Sequence, residues 1–278
     1  MCDTFYPITA VTDNFRGLFF VLYSSITASH YPVKKKQPDI FRKVLWFSRQ
    51  DKFDIDYFDV LQPCRTVSEH PRYKSGVFYS EKCRRDIQYE SGLELDFIKK
   101  HLEGNYAVLF YWEQPVAIPY RRGNIRTKTT PDFGVYLRSH HFVIVEVKPL
   151  AEMIDHRVQA KAEGVMEFCS RRGFGFLLTD GRHTPAQLLK GKVNRTLEKE
   201  LSAALDGGIL RKIQTTGIME SCNATQAELH RAVIRLDLKF KPYPFKLQRG
   251  NQSPIFRDVY FRKKRYDDLI TKFYISPE

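Results

Sequence analysis

Thr130-Pro131-Asp132-Phe133 and Glu146-Val147-Lys148 set two carboxylates and an amine at the ends of two apolar runs. The polar stretch Arg138-Ser139-His140-His141 between those runs reads as a turn that brings them side by side as strands. Side chains alternate along a strand, so Val143, Val145 and Val147 share one face while Ile144, Glu146 and Lys148 share the other. Hard divalent cations take oxygen ligands and keep several waters, which makes Asp132, Glu146 and the Val147 carbonyl a candidate ligand set for Mg²⁺, with Mn²⁺ as a substitute. Lys148 beside such an ion has two candidate roles. It orients or deprotonates an attacking water, or it neutralises charge developing on a phosphate. Glu94, on the preceding helical pattern, adds a third carboxylate, directly or through water. A set of this kind suits hydrolysis of a phosphodiester.

Each residue also has a plain structural reading. Glu94 stands three positions after Ser91, the spacing of a capping box. Asp132 after Pro131 fits a turn, and Glu146 with Lys148 fits an ion pair on a solvated strand face. The joint arrangement favours a site, because an otherwise Val- and Ile-rich strand puts two charges on the face that meets Asp132.

The elements that must position these residues follow from periodicity. Residues 1–89 read as short strands and loops, with Lys34-Lys35-Lys36 in a solvated loop. Leu93, Phe97, Ile98 and Leu102 predict a helix over 91–103, stopped by Gly104-Asn105. Strands are expected at 108–111 and 116–120, with Arg121-Arg122-Gly123-Asn124 as a basic turn. Val158, Ala162, Val165, Met166 and Cys169 share one helical face over 155–171, Gly173 ends that helix, and a short strand follows at 174–179. Further on, helices are expected at 197–205 and, after the cap Thr225, at 226–236. The pattern at 245–247, the turn Arg249-Gly250-Asn251 and the run 255–260 predict a wing-like hairpin.

The chain of 278 residues carries a formal net charge of +13, which favours a polyanionic partner such as nucleic acid. Candidate DNA contacts are Arg121, Arg122, Arg126 and Lys128, and the cluster Arg262-Lys263-Lys264-Arg265, for which a solvated terminal face is the plain alternative. Cys2, Cys64, Cys83, Cys169 and Cys222 form no C-x-x-C pair and read as reduced intracellular thiols. His140, His141, His156 and His183 lack the spacing of zinc ligands. The apolar run 18–23 is too short to span a bilayer and has no basic start before it, so a cytoplasmic protein without a membrane partner is expected.

The order Ser91-Gly92-Leu93-Glu94-Leu95, Glu113-Gln114-Pro115, Thr130-Pro131-Asp132-Phe133 and Glu146-Val147-Lys148-Pro149 resembles the TnsA family, the endonuclease subunit of heteromeric transposases, within the PD-(D/E)xK nuclease superfamily. The resemblance runs over roughly 73–180, from Tyr73-Lys74-Ser75-Gly76 onward. It implies an α/β fold with a restriction-endonuclease-like PD-(D/E)xK core at 73–180. Residues 1–72, which the resemblance does not cover and which are longer than the family pattern leads one to expect, form an N-terminal extension expected to pack on or lead into that core. A mostly helical, winged-helix-like domain at 181–278 would bind DNA or a partner. Glu94, Asp132 and Lys148 match the family's catalytic residues, Glu146 fills a position where some members carry Gln, and Gln114 is a candidate supporting residue. The family further implies nicking at the 5′ ends of a transposon in a prokaryotic cell, at the nucleoid. A DDE-type transposase subunit would process the 3′ ends, and an AAA+ ATPase would regulate both. An autonomous restriction- or repair-type endonuclease, or a DNA-binding or assembly module with a decayed site, are the alternatives.

Overall fold

The computed structural model describes residues 39–48, 50, 75–250 and 253–274, which belong to one unit spanning Asp39–Glu278. The Lys34-Lys35-Lys36 run, the 18–23 run, Cys2, Cys64, Tyr73 and Lys74 lie outside the described residues. The antiparallel pair β1 (Gly76–Ser80) and β2 (Arg85–Tyr89) leads into helix α1 (Gly92–Phe97), which continues with π-helical geometry over Ile98–Glu103. Ser91 caps α1, its hydroxyl accepting from the Glu94 N–H.

The central sheet has the order β3 (Val108–Glu113), β6 (Phe133–Leu137), β7 (Phe142–Val147), β8 (Gly175–Thr179). Its first three strands are antiparallel, and β8 runs parallel to β7. A parallel neighbour requires a crossover, supplied by α2 (His156–Arg172), which Asp155 caps at the start and Gly173, at φ 69°, closes at the end. Every residue of β6, β7 and β8 is buried, so these strands read as apolar runs rather than as alternation. One core gathers Phe97, Ile98 and Leu102 with Tyr111, Phe133, Val135, Val143, Val145 and Val147 on one side of the sheet. Ile40, Phe41 and Val44 join it, and Leu45 exchanges backbone hydrogen bonds with Phe176 of β8.

Between β3 and β6 the chain makes a second hairpin, β4 (Ile118–Arg122) and β5 (Ile125–Thr129). The expected basic turn is therefore the tip of a two-stranded ribbon. Gly164 lets α2 come close to this ribbon, since a Cβ there would lie 2.3 Å from the Tyr120 Cβ.

The remainder holds α3 (Arg195–Asp206), α4 (Lys212–Ser221), α5 (Gln226–Arg235), the hairpin β9 (Lys239–Pro242) and β10 (Phe245–Gln248), α6 (Pro254–Tyr260) and α7 (Tyr266–Tyr274). Thr225 and Glu228 form the capping box that opens α5. The wing expected from 245–247 and 255–260 is corrected in one respect. β10 pairs backward with β9, and residues 254–260 are helical, with Ser253 as N-cap and Pro254 in the first turn, where its missing N–H costs nothing. Among the described residues no helix is long and apolar enough to cross a membrane, and Cys83, Cys169 and Cys222 are free thiols.

Candidate active site

The β6–β7 register pairs Phe133 with Val145, which sets Asp132 across from Glu146, one residue beyond each pair member. The Lys148 N–H bonds the Thr179 carbonyl at 2.9 Å, so the backbone after β7 stays tied to β8 and Lys148 shares the face of Glu146. Lys148 Nζ lies 3.1 Å from Glu146 Oε1 and 3.4 Å from Asp132 Oδ2. The Val147 N–H donates to Asp132 Oδ2 at 2.6 Å, and the Gln114 N–H donates to the Asp132 carbonyl at 2.9 Å. Asp132 is thus held from both neighbouring strands.

Glu146 is 8 % exposed, and its Oε2 is a buried acceptor with no hydrogen-bond partner. Leaving such an oxygen unsatisfied costs about 1–3 kcal/mol, more when it is charged. Burial, then the Asp132 charge, pushes the Glu146 carboxyl up to about 7, against the opposing pull of Lys148. For Lys148, burial pulls the ammonium down, but the Asp132 and Glu146 carboxylates outweigh it and the net shift is upward. Lys148 therefore stays charged at neutral pH.

The capping role expected as the plain reading of Glu94 is realised: Ser91 Oγ donates to its Oε1 at 2.8 Å and the Glu90 N–H to its Oε2 at 2.7 Å. Its carboxyl is nevertheless pushed up to about 7, by burial and then by the Asp132 charge, with Lys148 acting the other way. Glu94 thus belongs to the electrostatic neighbourhood of Asp132 and Lys148. Gln114 joins it from β3's end, donating from Nε2 to Glu90 Oε1 at 3.2 Å. Among the described residues no group of three His, Cys, Asp or Glu side chains is arranged to hold a metal by itself, and the Lys148 ammonium bridges the two central carboxylates instead.

Two residues that the sequence did not single out support this arrangement. Arg85 grips the buried Glu113 bidentately, at 3.1 and 2.7 Å, and so fixes the strand end that carries Gln114. Glu90 links Gln114 to Glu94. Neither carries a local signal, because an Arg on a short strand and a Glu before a helix are ordinary surface choices.

The basic candidates divide. Arg121, Arg122, Arg126 and Lys128 are exposed on the β4–β5 ribbon, with Arg121 across from Arg126. In the other cluster, Arg262 pairs with Asp237 and Asp258, Lys264 pairs with Asp258, and Arg265 reaches Ser48 Oγ, while Lys263 is exposed.

The fold is mixed α/β, and it gathers the buried Glu146 with the half-buried Asp132 and Lys148 at the ends of adjacent central strands. Residues 105–181 match the family model described as TnsA-like endonuclease N terminal, so the chain carries a TnsA-like endonuclease domain. That stretch contains Gln114, Asp132, Glu146 and Lys148 and begins after Glu94. No curated protein matches the chain.

Proposed function

We propose that the protein is a Mg²⁺-dependent DNA endonuclease, the subunit of a heteromeric transposase that cuts phosphodiesters at the 5′ ends of a transposon during cut-and-paste excision. The observation that carries this reading is the convergence of Asp132, Glu146 and Lys148 inside the TnsA-like stretch. The unpartnered Glu146 Oε2 fits a cation, which Asp132, Glu146, the Val147 carbonyl and Glu94 would hold, with Mn²⁺ as a substitute. When bound, the ion supplies positive charge to the scissile phosphate and acidifies water.

Lys148 donates to a phosphoryl oxygen and offsets the charge that grows there. Glu94, fixed by Ser91 and Glu90, adds its carboxylate to the set beside Asp132 and Lys148. Asp132, clamped by the Val147 N–H and the Gln114 N–H, keeps the two strand ends in register with the phosphate. The PD-(D/E)xK reading of the core rests on this strand arrangement. A winged-helix reading of the C-terminal part is supported by the order α3, α4, α5, hairpin, and by the bridge from Leu210, between α3 and α4, to Leu247 of β10.

Duplex transposon ends are the substrate in this reading, with a DDE-type transposase subunit and an AAA+ ATPase regulator as partners, at the nucleoid. Strand-resolved mapping of cuts on a plasmid with candidate transposon ends, with and without the neighbouring transposase proteins, tests it. Cuts confined to the 5′ ends and dependent on the partners are expected. Cutting by the protein alone at an unrelated sequence would replace this reading with a restriction-type enzyme.

A further inference from the structure

The β9–β10 hairpin sorts its side chains by face. Phe240 and Leu247 are paired and buried, so Lys239, Lys241, Lys246 and Gln248 occupy the outward face. Lys241 stands directly across from Lys246, and like charges so placed destabilise a strand pair. Lys239 is lowered by burial and by the charge of Lys246. Four carboxylates of this part of the chain are engaged elsewhere: Asp206 with Arg249, Asp237 with Arg257 and Arg262, Asp258 with Arg262 and Lys264, Glu198 with Arg235. Among the described residues none pairs with Lys239, Lys241 or Lys246. The Leu210–Leu247 bridge brings exposed Arg211 and Lys212, at the start of α4, beside the same hairpin. His156 at the start of α2 meets the Phe240 carbonyl at 2.7 Å, which fixes the hairpin to the nuclease part.

We propose that this lysine face, with Arg211 and Lys212 beside it, is a second contact for duplex DNA that grips the phosphodiester backbone without reading sequence. It rests on the DNA-cutting reading above. A face of three lysines beside Gln248, with no carboxylate among them, matches a polyanion. Protein–protein interfaces, in contrast, deplete Lys and enrich aromatic anchors, and the exposed Tyr243 sits at the turn, off this face. The cluster at 262–265, by comparison, spends Arg262 and Lys264 on internal carboxylates.

The test is fluorescence anisotropy of a labelled random-sequence duplex against the full chain over a series of salt concentrations, comparing the natural protein with the triple variant K239Q/K241Q/K246Q. Three lost phosphate contacts should make the slope of log K against log salt shallower by about 2 to 3 and weaken binding by about tenfold or more at moderate salt. The melting temperature should hold or rise, since a like-charge pair is removed. An unchanged slope in the folded variant would overturn the proposal. So would a loss of affinity for a polyglutamate peptide with the duplex slope intact, which would assign the face to an acidic protein. Asp132→Ala, run alongside, should bind the duplex as the natural protein does; if it still cuts DNA with the partners present, the nuclease reading fails while the salt-slope result stands.

Discussion

Two clusters of charge in this molecule, one around Arg257 and one at the ends of β6 and β7, are satisfied to different degrees. In the C-terminal part Arg257 is 2 % exposed, and its guanidinium donates to Asp237 and to the carbonyls of Val233, Ile234 and Leu238. Those partners close the end of α5 and lock α6 against it. In the central sheet two carboxylates share one ammonium, Glu146 Oε2 has no partner, and the Glu94 carboxyl is pushed upward nearby. A buried polar group left without a partner costs the fold, and full pairing offsets that cost. The proposed nuclease role falls on the strand ends, and Arg257 holds α5 and α6 together.

Substitutions can sharpen or break that contrast. Lys148→Ala should lower cleavage by about 10²–10³-fold or more while leaving the circular dichroism spectrum and DNA binding near those of the natural protein. Arg257→Ala should do the reverse. Orphaned carbonyls and a void should cost about 2–4 kcal/mol in chemical denaturation, with cleavage per folded molecule retained. If Arg257→Ala lost cleavage without losing stability, the contrast would collapse.

Gly134→Ala sits between the two cases. A Cβ there would lie 2.6 Å from Phe142 Cζ and 2.9 Å from Pro115 Cβ, two residues from Asp132. It should lower stability by about 1–3 kcal/mol and impair cutting together.

Smaller effects concern pH. Burial pushes Glu163 up to about 7 even though its carboxylate accepts the Phe256 N–H. A carboxyl raised above its ordinary value of 4.5 makes the fold lose stability as pH rises from about 4.5 through 7. Glu163→Gln should flatten that slope by about 1–3 kcal/mol, measured as denaturation midpoints at about pH 5 and about pH 8. Glu146→Gln should be neutral or slightly stabilising without ions. It should also abolish the few degrees of Mg²⁺-induced thermal stabilisation, which in the natural protein should grow as pH rises and the carboxylates ionise.

The sequence made the site's frame readable because Glu146 interrupts a Val- and Ile-rich run and because the turn before it is polar, so pairing and facing followed from alternation. Helix α2 was equally readable through its apolar face and Gly173. β5 escaped notice because Ile125-Arg126-Thr127-Lys128-Thr129 holds one apolar residue and keeps it exposed. α4 escaped for a related reason: it buries only Thr215, leaving no apolar stripe to read. The run 255–260 passed for a strand because apolar density outweighed the Ser253 cap and the first-turn Pro254, which were the better signals. Arg257 gave no local sign at all, since only the end of α5, brought back by the hairpin, makes its burial tolerable.

The most direct test of the nuclease centre is single-turnover cleavage of a plasmid carrying candidate transposon ends, with Mg²⁺ and the partner proteins, comparing the natural protein with Asp132→Ala. Loss of cutting in a folded Asp132→Ala that still binds DNA is the expected result. Undiminished cutting by that variant would show that the carboxylates and lysine at the ends of β6 and β7 are not where the phosphodiester is cut.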